Sequence, residues 1–352
     1  MTYPDDQQAI RMIRQSARSI AVRGDLARVR ALRYVSPGFD RGVWTEMCEM
    51  GWSAIRVPEE KGGVGLSMVA YCALAEELGA ALVPEPLIGA VLAAALLDGE
   101  ALERQTAGDW LVLPAWQDSR DAVSVDAPLV VSGDRLVASK LHVQSAEGAD
   151  AFVVAGAGQV VLVPADAKGV DIASAPLQDG GYSARVSFDT TPAQSRSVDV
   201  APAVAEATLA TSAYLLGLMD AAVGMTVDYL KTRIQFGKLI GTFQALQHMA
   251  VDLKMEVELT RASVEDAAMQ WDCSGPTPAA YAAVSRAKAR ASQAALKVTR
   301  DVIQMHGGIG FTDEHDIGLY LRKALVVSAQ FGSAKAHRAR FAVLLPARLE
   351  AA

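Results

Sequence analysis

The chain has few of the residues that build disulfide frameworks, metal centres or grips on polyanions. It contains three cysteines, Cys48, Cys72 and Cys273, with no metal-ligand spacing, so they are expected to be reduced and partly buried thiols. Its five histidines are scattered, and a metal site is not expected. Aromatic residues make up only 6%, the net charge is -7, and there is neither a basic run nor an interleaving of basic and aromatic residues. Nucleic acid is therefore not an expected partner. No apolar stretch reaches about 18 residues without a charge or a glycine. The start, Met1-Thr2-Tyr3-Pro4-Asp5-Asp6, has no basic region leading into an apolar one. Both absences predict a soluble, cytoplasmic protein that does not enter a membrane.

What remains is length and apolar mass: 352 residues, 51% of them hydrophobic, enough for two or three domains with a large core. The longest helix-compatible region runs from about Thr208 to Met269, free of proline. Apolar residues recur there at helical spacing, as in Leu215, Leu218, Met219 and Ala222, then Met249, Leu253 and Met255. Only Phe236-Gly237-Lys238-Leu239-Ile240-Gly241 interrupts it sharply, which predicts two helices joined by a short ordered turn. At that turn Arg233, Phe236, Gln244 and Gln247 converge with helix-terminal amides. Such a set suits a ligand that carries phosphates and a flat ring, although Arg233 and Lys238 could equally complement a helix C-terminus.

A second motif, Gln304-Met305-His306-Gly307-Gly308-Ile309-Gly310-Phe311, follows about 70 residues later at the end of another long helical stretch. The pairing of RxxFGKxxxxFQxxQ with QxxGGxGF at that separation resembles the acyl-CoA dehydrogenase family of flavoproteins. The resemblance implies that Arg233, Phe236, Gln244, Gln304, Gly307 and Gly308 bind the pyrophosphate and adenosine end of an FAD whose flavin sits in the neighbouring subunit. It also implies an acyl-CoA substrate and an electron-transfer flavoprotein or similar acceptor.

The resemblance extends over almost the whole chain, as a mostly α fold with a central β domain. Residues 1–110 are expected to be an N-terminal helical domain, with breaks at Gly24, Pro37-Gly38 and Gly51. The glycine cluster from Gly62 to Gly65 tolerates positive φ between two helices. Residues 111–200 are expected to be a small β domain, because β-branched runs appear: Leu111-Val112-Leu113, Leu129-Val130-Val131, Ala151-Phe152-Val153-Val154 and Val160-Val161-Leu162-Val163. Residues 201–352 are expected to be a C-terminal bundle of four long helices.

Two departures from the family pattern carry the functional expectation. Where the family places hydroxyls and amides around the flavin ring, this chain has Pro114-Ala115-Trp116-Gln117-Asp118-Ser119-Arg120-Asp121, and after Lys140 it has Leu141-His142-Val143. The base is missing as well. Removing the α-proton of an acyl thioester needs a carboxylate whose basicity is raised by desolvation. Gap-free extension from Leu321-Arg322-Lys323-Ala324 places Phe331 at the usual catalytic position, and a phenyl ring accepts no proton. A minority of the family carry the glutamate 26 residues before the motif arginine, which here is Ala207, followed by Thr208 where an arginine would bind CoA. Glu206 is adjacent, rotated by about 100° on a helix, and reads as a solvent-facing residue of the first turn.

No catalytic residue is therefore assigned, with Glu206 the alternative base. The surviving residues are those that reach a neighbour's FAD. The expectation is a degenerate subunit completing the FAD site of a homologous full-length acyl-CoA dehydrogenase, as an α2β2 heterotetramer. In this it resembles the smaller subunit, lacking the catalytic glutamate, of bacterial enzymes acting on steroid side-chain CoA thioesters. Two other readings stay open at this level: a self-sufficient homo-oligomer using Glu206, and a flavin-free structural or regulatory protein.

Overall fold

The computed structural model describes residues 4–345. Six helices come first: α1 (Pro4–Ala17), α2 (Ala27–Leu32), α3 (Arg41–Glu49), α4 (Met68–Ala80), α5 (Leu87–Leu96) and α6 (Gly99–Ala107). Eight strands follow: β1 (Val112–Ala115), β2 (Val130–Ser132), β3 (Arg135–Gln144), β4 (Ala151–Gly156), β5 (Gln159–Pro164), β6 (Val170–Pro176), β7 (Tyr182–Thr190) and β8 (Gln194–Ser197). The chain then returns to helix in α7 (Ala201–Thr232), interrupted by the two-residue strands β9 (Ile234–Gln235) and β10 (Lys238–Leu239). It ends with α8 (Gln244–Ser274), α9 (Pro278–His306), α10 (Ile317–Val327) and α11 (Ala334–Leu344).

These elements form two compact units. One gathers Arg30–Tyr71 and Pro84–Thr208. Its eight strands make two sheets, ordered β1-β4-β5-β8 and β2-β3-β7-β6, in which only the β1–β4 pairing is parallel. β4 is buried along its whole length, whereas β3 and β7 alternate in exposure, one face inward and one out. Phe152 of β4 and Phe188 of β7, both essentially inaccessible, meet edge to face at 5.8 Å and close the space between the sheets. Each such buried ring is worth roughly 1.5 to 3 kcal/mol relative to exposure. A bulge in β3 between Lys140 and Val143 turns His142 outward at φ 56. The helices of this unit are capped by their own sequence: Asp40 accepts the amides of Gly42 and Val43 at the start of α3, and left-handed Gly108 ends α6.

The other unit gathers the residues up to Val29, Cys72–Val83 and those from Leu209 onward. Its core is a set of long helices. By composition alone α7 could span a bilayer, yet 72% of its most apolar window is buried inside the protein, as in a core helix. The expectation of four long bundle helices needs correction: α7, α8 and α9 have 32, 31 and 29 residues, but α10 and α11 have only 11 each. The break falls at Gln330-Phe331-Gly332, where Phe331 and Gly332 take φ 56 and 97, and Ser333 caps the restart by accepting the amide of Ala336.

Glycine permits the closest helix approach in this unit: a Cβ on Gly79 would lie 2.0 Å from the Tyr214 carbonyl oxygen, and one on Gly217 would lie 1.8 Å from that of Glu76. Around the same helices runs a closed ring of eight alternating charges. Arg14 binds Glu76 (2.6 Å) and Glu77 (2.8 Å), and Arg23 joins Glu77 (3.1 Å) to Asp220 (3.5 Å). Lys254 joins Asp220 (3.1 Å) to Glu258 (2.9 Å), and Arg261 returns from Glu258 (3.6 Å) to Glu76 (2.6 Å). Glu76 and Glu77 are buried, and a buried carboxylate is tolerable only with such partners.

Candidate cofactor-binding edge

α7 ends at Thr232, and the chain reverses through the β9–β10 hairpin, with Lys238 opposite Gln235 and Leu239 opposite Ile234. The two residues at its tip, Phe236 and Gly237, both have positive φ, 53 and 77. A two-residue hairpin of this hand requires that, and glycine meets the demand at no steric cost. Phe236 meets it with strain of about 1 to 2 kcal/mol, and its ring is 91% exposed. Its one ring contact among the described residues is an edge-to-face pair with Phe243 at 6.2 Å, which leaves most of the side chain in solvent.

The loop beneath the tip is ordered by local bonds. The Ile240 amide donates to the Arg233 carbonyl at 2.9 Å, the Gln247 side chain donates to the Gly241 carbonyl at 2.9 Å, and the Lys238 ammonium lies 4.1 Å over the Phe243 ring. Arg233 is exposed, and its guanidinium has no partner among the described residues. Gln244 is exposed at the first turn of α8.

α9 stops at Gly307, whose φ of 66 lets its amide donate back to the Gln304 carbonyl. A tight turn, Gly307–Phe311, follows, with Gln304, Gly307 and Gly308 exposed and Phe311 76% exposed. Gly308 has no positive φ, and a Cβ on either Gly307 or Gly308 would meet nothing within 4 Å. The fold of this chain thus gives Gly308 no reason to be glycine. A bare backbone in open space fits the close approach of a ligand from outside.

The two motifs, about 70 residues apart in sequence, are joined by residues that the sequence reading left without a role. Tyr229, one turn before Arg233, donates its hydroxyl to the His306 carbonyl at 3.3 Å and stacks on the His306 ring at 4.4 Å. His315 packs 4.6 Å from His306. Burial, with a smaller contribution from His315, lowers the His306 pKa below the usual histidine value. The signal that could have found them was helical phase: Tyr229 lies four residues before Arg233, on the same face.

Of the positions considered for a base, Phe331 and Ala207 carry no carboxylate, and Glu206 is ion-paired. Phe331 is half-buried at the α10–α11 break, and its carbonyl accepts from the His337 imidazole at 2.8 Å. Ala207 is buried in α7. Glu206 does not face solvent as expected from the sequence: Arg56 grips both its oxygens, at 2.9 and 2.6 Å, and the pair is largely screened from water. Neither residue signals the other, being 150 apart in sequence.

In the middle segment that departs from the family pattern, Lys140 is buried and donates to Asp118 at 2.7 Å. The His142 pKa is lowered by burial and by the charge of Arg120. Among the described residues no cluster of histidine, cysteine, aspartate or glutamate could hold a metal ion. A separate open cleft of about 620 Å³, lined by Arg23, Asp220, Gly224, Lys254 and Tyr320 among others, is no rival site. Three of its four charged groups, Arg23, Asp220 and Lys254, are engaged in the ion-pair ring, and the fourth, Asp228, lies 3.9 Å from Lys231.

The helical, β and helical-bundle order is that of the acyl-CoA dehydrogenase fold. Residues 7–103 match the description "Acyl-CoA dehydrogenase, N-terminal domain" and residues 203–343 match "Acyl-CoA dehydrogenase, C-terminal domain". The chain is 32% identical over 338 residues to acyl-CoA dehydrogenase IpdE2 of Mycobacterium tuberculosis, covering 92% of each. Among solved structures it is similar to a variant of the steroid ACAD Tcur3481-Tcur3483 (TM-score 0.85, 28% identity, 97% of each chain). It has the same fold as a chain of the ChsE4-ChsE5 complex from Mycobacterium tuberculosis (TM-score 0.84, 24% identity, 97% of each). The chain belongs to the acyl-CoA dehydrogenase family.

Proposed function

We propose that this chain is a subunit of a heteromeric FAD-dependent acyl-CoA dehydrogenase. In this reading it completes an FAD site whose flavin pocket and catalytic base belong to a homologous full-length subunit. The observation that carries the reading is a contrast: a free Arg233, an exposed Phe236 and an open Gly307-Gly308 turn are all in place, while neither base position holds a usable carboxylate.

The residues present fit the polar end of FAD. Arg233 would bind the pyrophosphate, the backbone at Gly307 and Gly308, unshielded by side chains, would lie against it, and Gln244 and Gln304 would hydrogen-bond nearby. Phe236 offers a flat apolar face to the adenosine end. Held there, FAD would supply the hydride acceptor for oxidation of the acyl thioester. This chain contributes binding and orientation to that step. In this reading the α-proton goes to a carboxylate on the partner; that Glu206 has both oxygens engaged by Arg56 and that Phe331 has no basic atom support it.

A steroid side-chain CoA thioester is the substrate class we favour, on the likeness to the steroid ACAD. An electron-transfer flavoprotein or a similar acceptor would reoxidise the flavin. The test is Arg233→Ala in the co-purified complex. A charge-assisted, partly desolvated pair is worth about 1.5 to 3 kcal/mol, so FAD occupancy under limiting FAD should fall roughly tenfold or more. Unchanged occupancy removes Arg233 from the site.

A further inference from the structure

We propose that Tyr229, His306 and His315 are positioning residues that lock the Arg233 turn to the Gly307-Gly308 turn, and that the lock holds only while both imidazoles are uncharged. The inference rests on the FAD-edge reading for its purpose, but its physical content concerns this chain alone. Tyr229 touches both segments. Its carbonyl accepts the Arg233 amide at 2.9 Å, and its hydroxyl donates to the carbonyl of His306, the peptide that also carries the Gly307 nitrogen. Fixing that peptide plane fixes the direction of the Gly307 amide.

The hydrogen bonds assign the protons. His306 is 4% exposed, and its Nδ1 lies 2.7 Å from the Val302 carbonyl, so Nδ1 carries the hydrogen. Nε2 is then a bare lone pair, and it is buried with no partner. His315 Nδ1 accepts the Ile317 amide at 3.1 Å at the start of α10, so it carries no hydrogen. A proton on His306 Nε2 would be a buried N–H without an acceptor, and a proton on His315 Nδ1 would face another donor. With both rings charged, two cations would stand 4.6 Å apart in a stack closed by Tyr229.

Tyr229 from α7 faces both rings, and Asp313, Glu314 and Asp316 flank His315 in sequence. Arg322 of α10 reaches Asp313 at 3.9 Å. Burial opposes charge on His306, so its proton uptake is deferred below the unfolded value of about 6.5. The lock is therefore intact above that pH and weakens as pH falls through the window below it.

The deciding experiment is amide hydrogen exchange on the full chain without FAD, corrected for intrinsic rates, between about pH 8 and pH 5. Protection at residues 233–241 and 306–311 should fall together on acidification, by tenfold or more. The pair of changes His306→Phe and His315→Asn, which keeps a ring and an amide acceptor but removes the titration, should abolish that pH dependence. Should the double variant fail to fold, Tyr229→Phe should uncouple the two segments at pH 8. Protection that is independent of pH, or lost at one segment only, overturns the inference. FAD affinity of the assembled complex separates the two claims. An affinity flat with pH together with coupled exchange contradicts the functional purpose of the lock, and absence of FAD at every pH contradicts the FAD-edge reading while exchange still decides the lock.

Discussion

Phe236 and Phe331 share an unusual backbone, φ 53 and 56, and the contrast between them explains what single residues do here. Phe236 spends strain on display, with 91% of its surface in solvent, whereas Phe331 fills the break between α10 and α11 and is half-buried. A fully buried ring would cost roughly 3 kcal/mol or more on truncation. For Phe331→Ala we expect clearly less, a shift visible in urea unfolding, with dehydrogenation by the assembled complex retained. Glu206→Gln should leave turnover nearly intact, because both carboxylate oxygens are held by Arg56. A rate loss of several orders of magnitude with flavin still bound would make Glu206 the base. The exposed turns that carry Arg233, Gln304 and the glycines were legible in the sequence, because glycine marks each of them. Tyr229, His315 and Arg56 were not, because their roles come from packing between segments far apart in the chain.

At the scale of elements, three of the four strands the sequence announced, β1, β4 and β5, are buried, and the fourth, β2, is exposed. β4 and β5 are β-branched runs shielded on both faces, but β6, with the sequence Val-Asp-Ile-Ala-Ser-Ala-Pro, is half-exposed and carries too little apolar signal to stand out from a loop. The bundle was legible from its 3.6-residue periodicity. The split of its last helix was hidden, because the Gln330-Phe331-Gly332 break contains a single glycine and no proline. The eight-charge ring tying α1 to α4, α7 and α8 could not be foreseen either, since its partners lie up to 185 residues apart. Glu77→Gln leaves Arg14 and Arg23 short of their shared buried carboxylate. By the usual cost of breaking a buried pair it should destabilise by about 3 kcal/mol, measured as a lower urea midpoint at unchanged slope. A change within about 0.5 kcal/mol would mean the ring contributes nothing net.

For the whole molecule, the proposed function implies an assembly with unequal partners. In that reading the edge at Arg233 and Gly307 would hold the polar end of FAD against a subunit that supplies the flavin pocket and the base. We expect a heterotetramer with about two copies of each subunit, in keeping with closed two-fold assembly, and FAD on only half of the chains. The measurement that tests this most directly is mass together with flavin absorbance per chain, on the isolated protein and on the complex co-purified with its homologous partner. The account predicts little or no flavin on this chain alone and about two FAD per heterotetramer. A yellow homo-oligomer with one FAD per chain, oxidising an acyl-CoA without any partner, would contradict it.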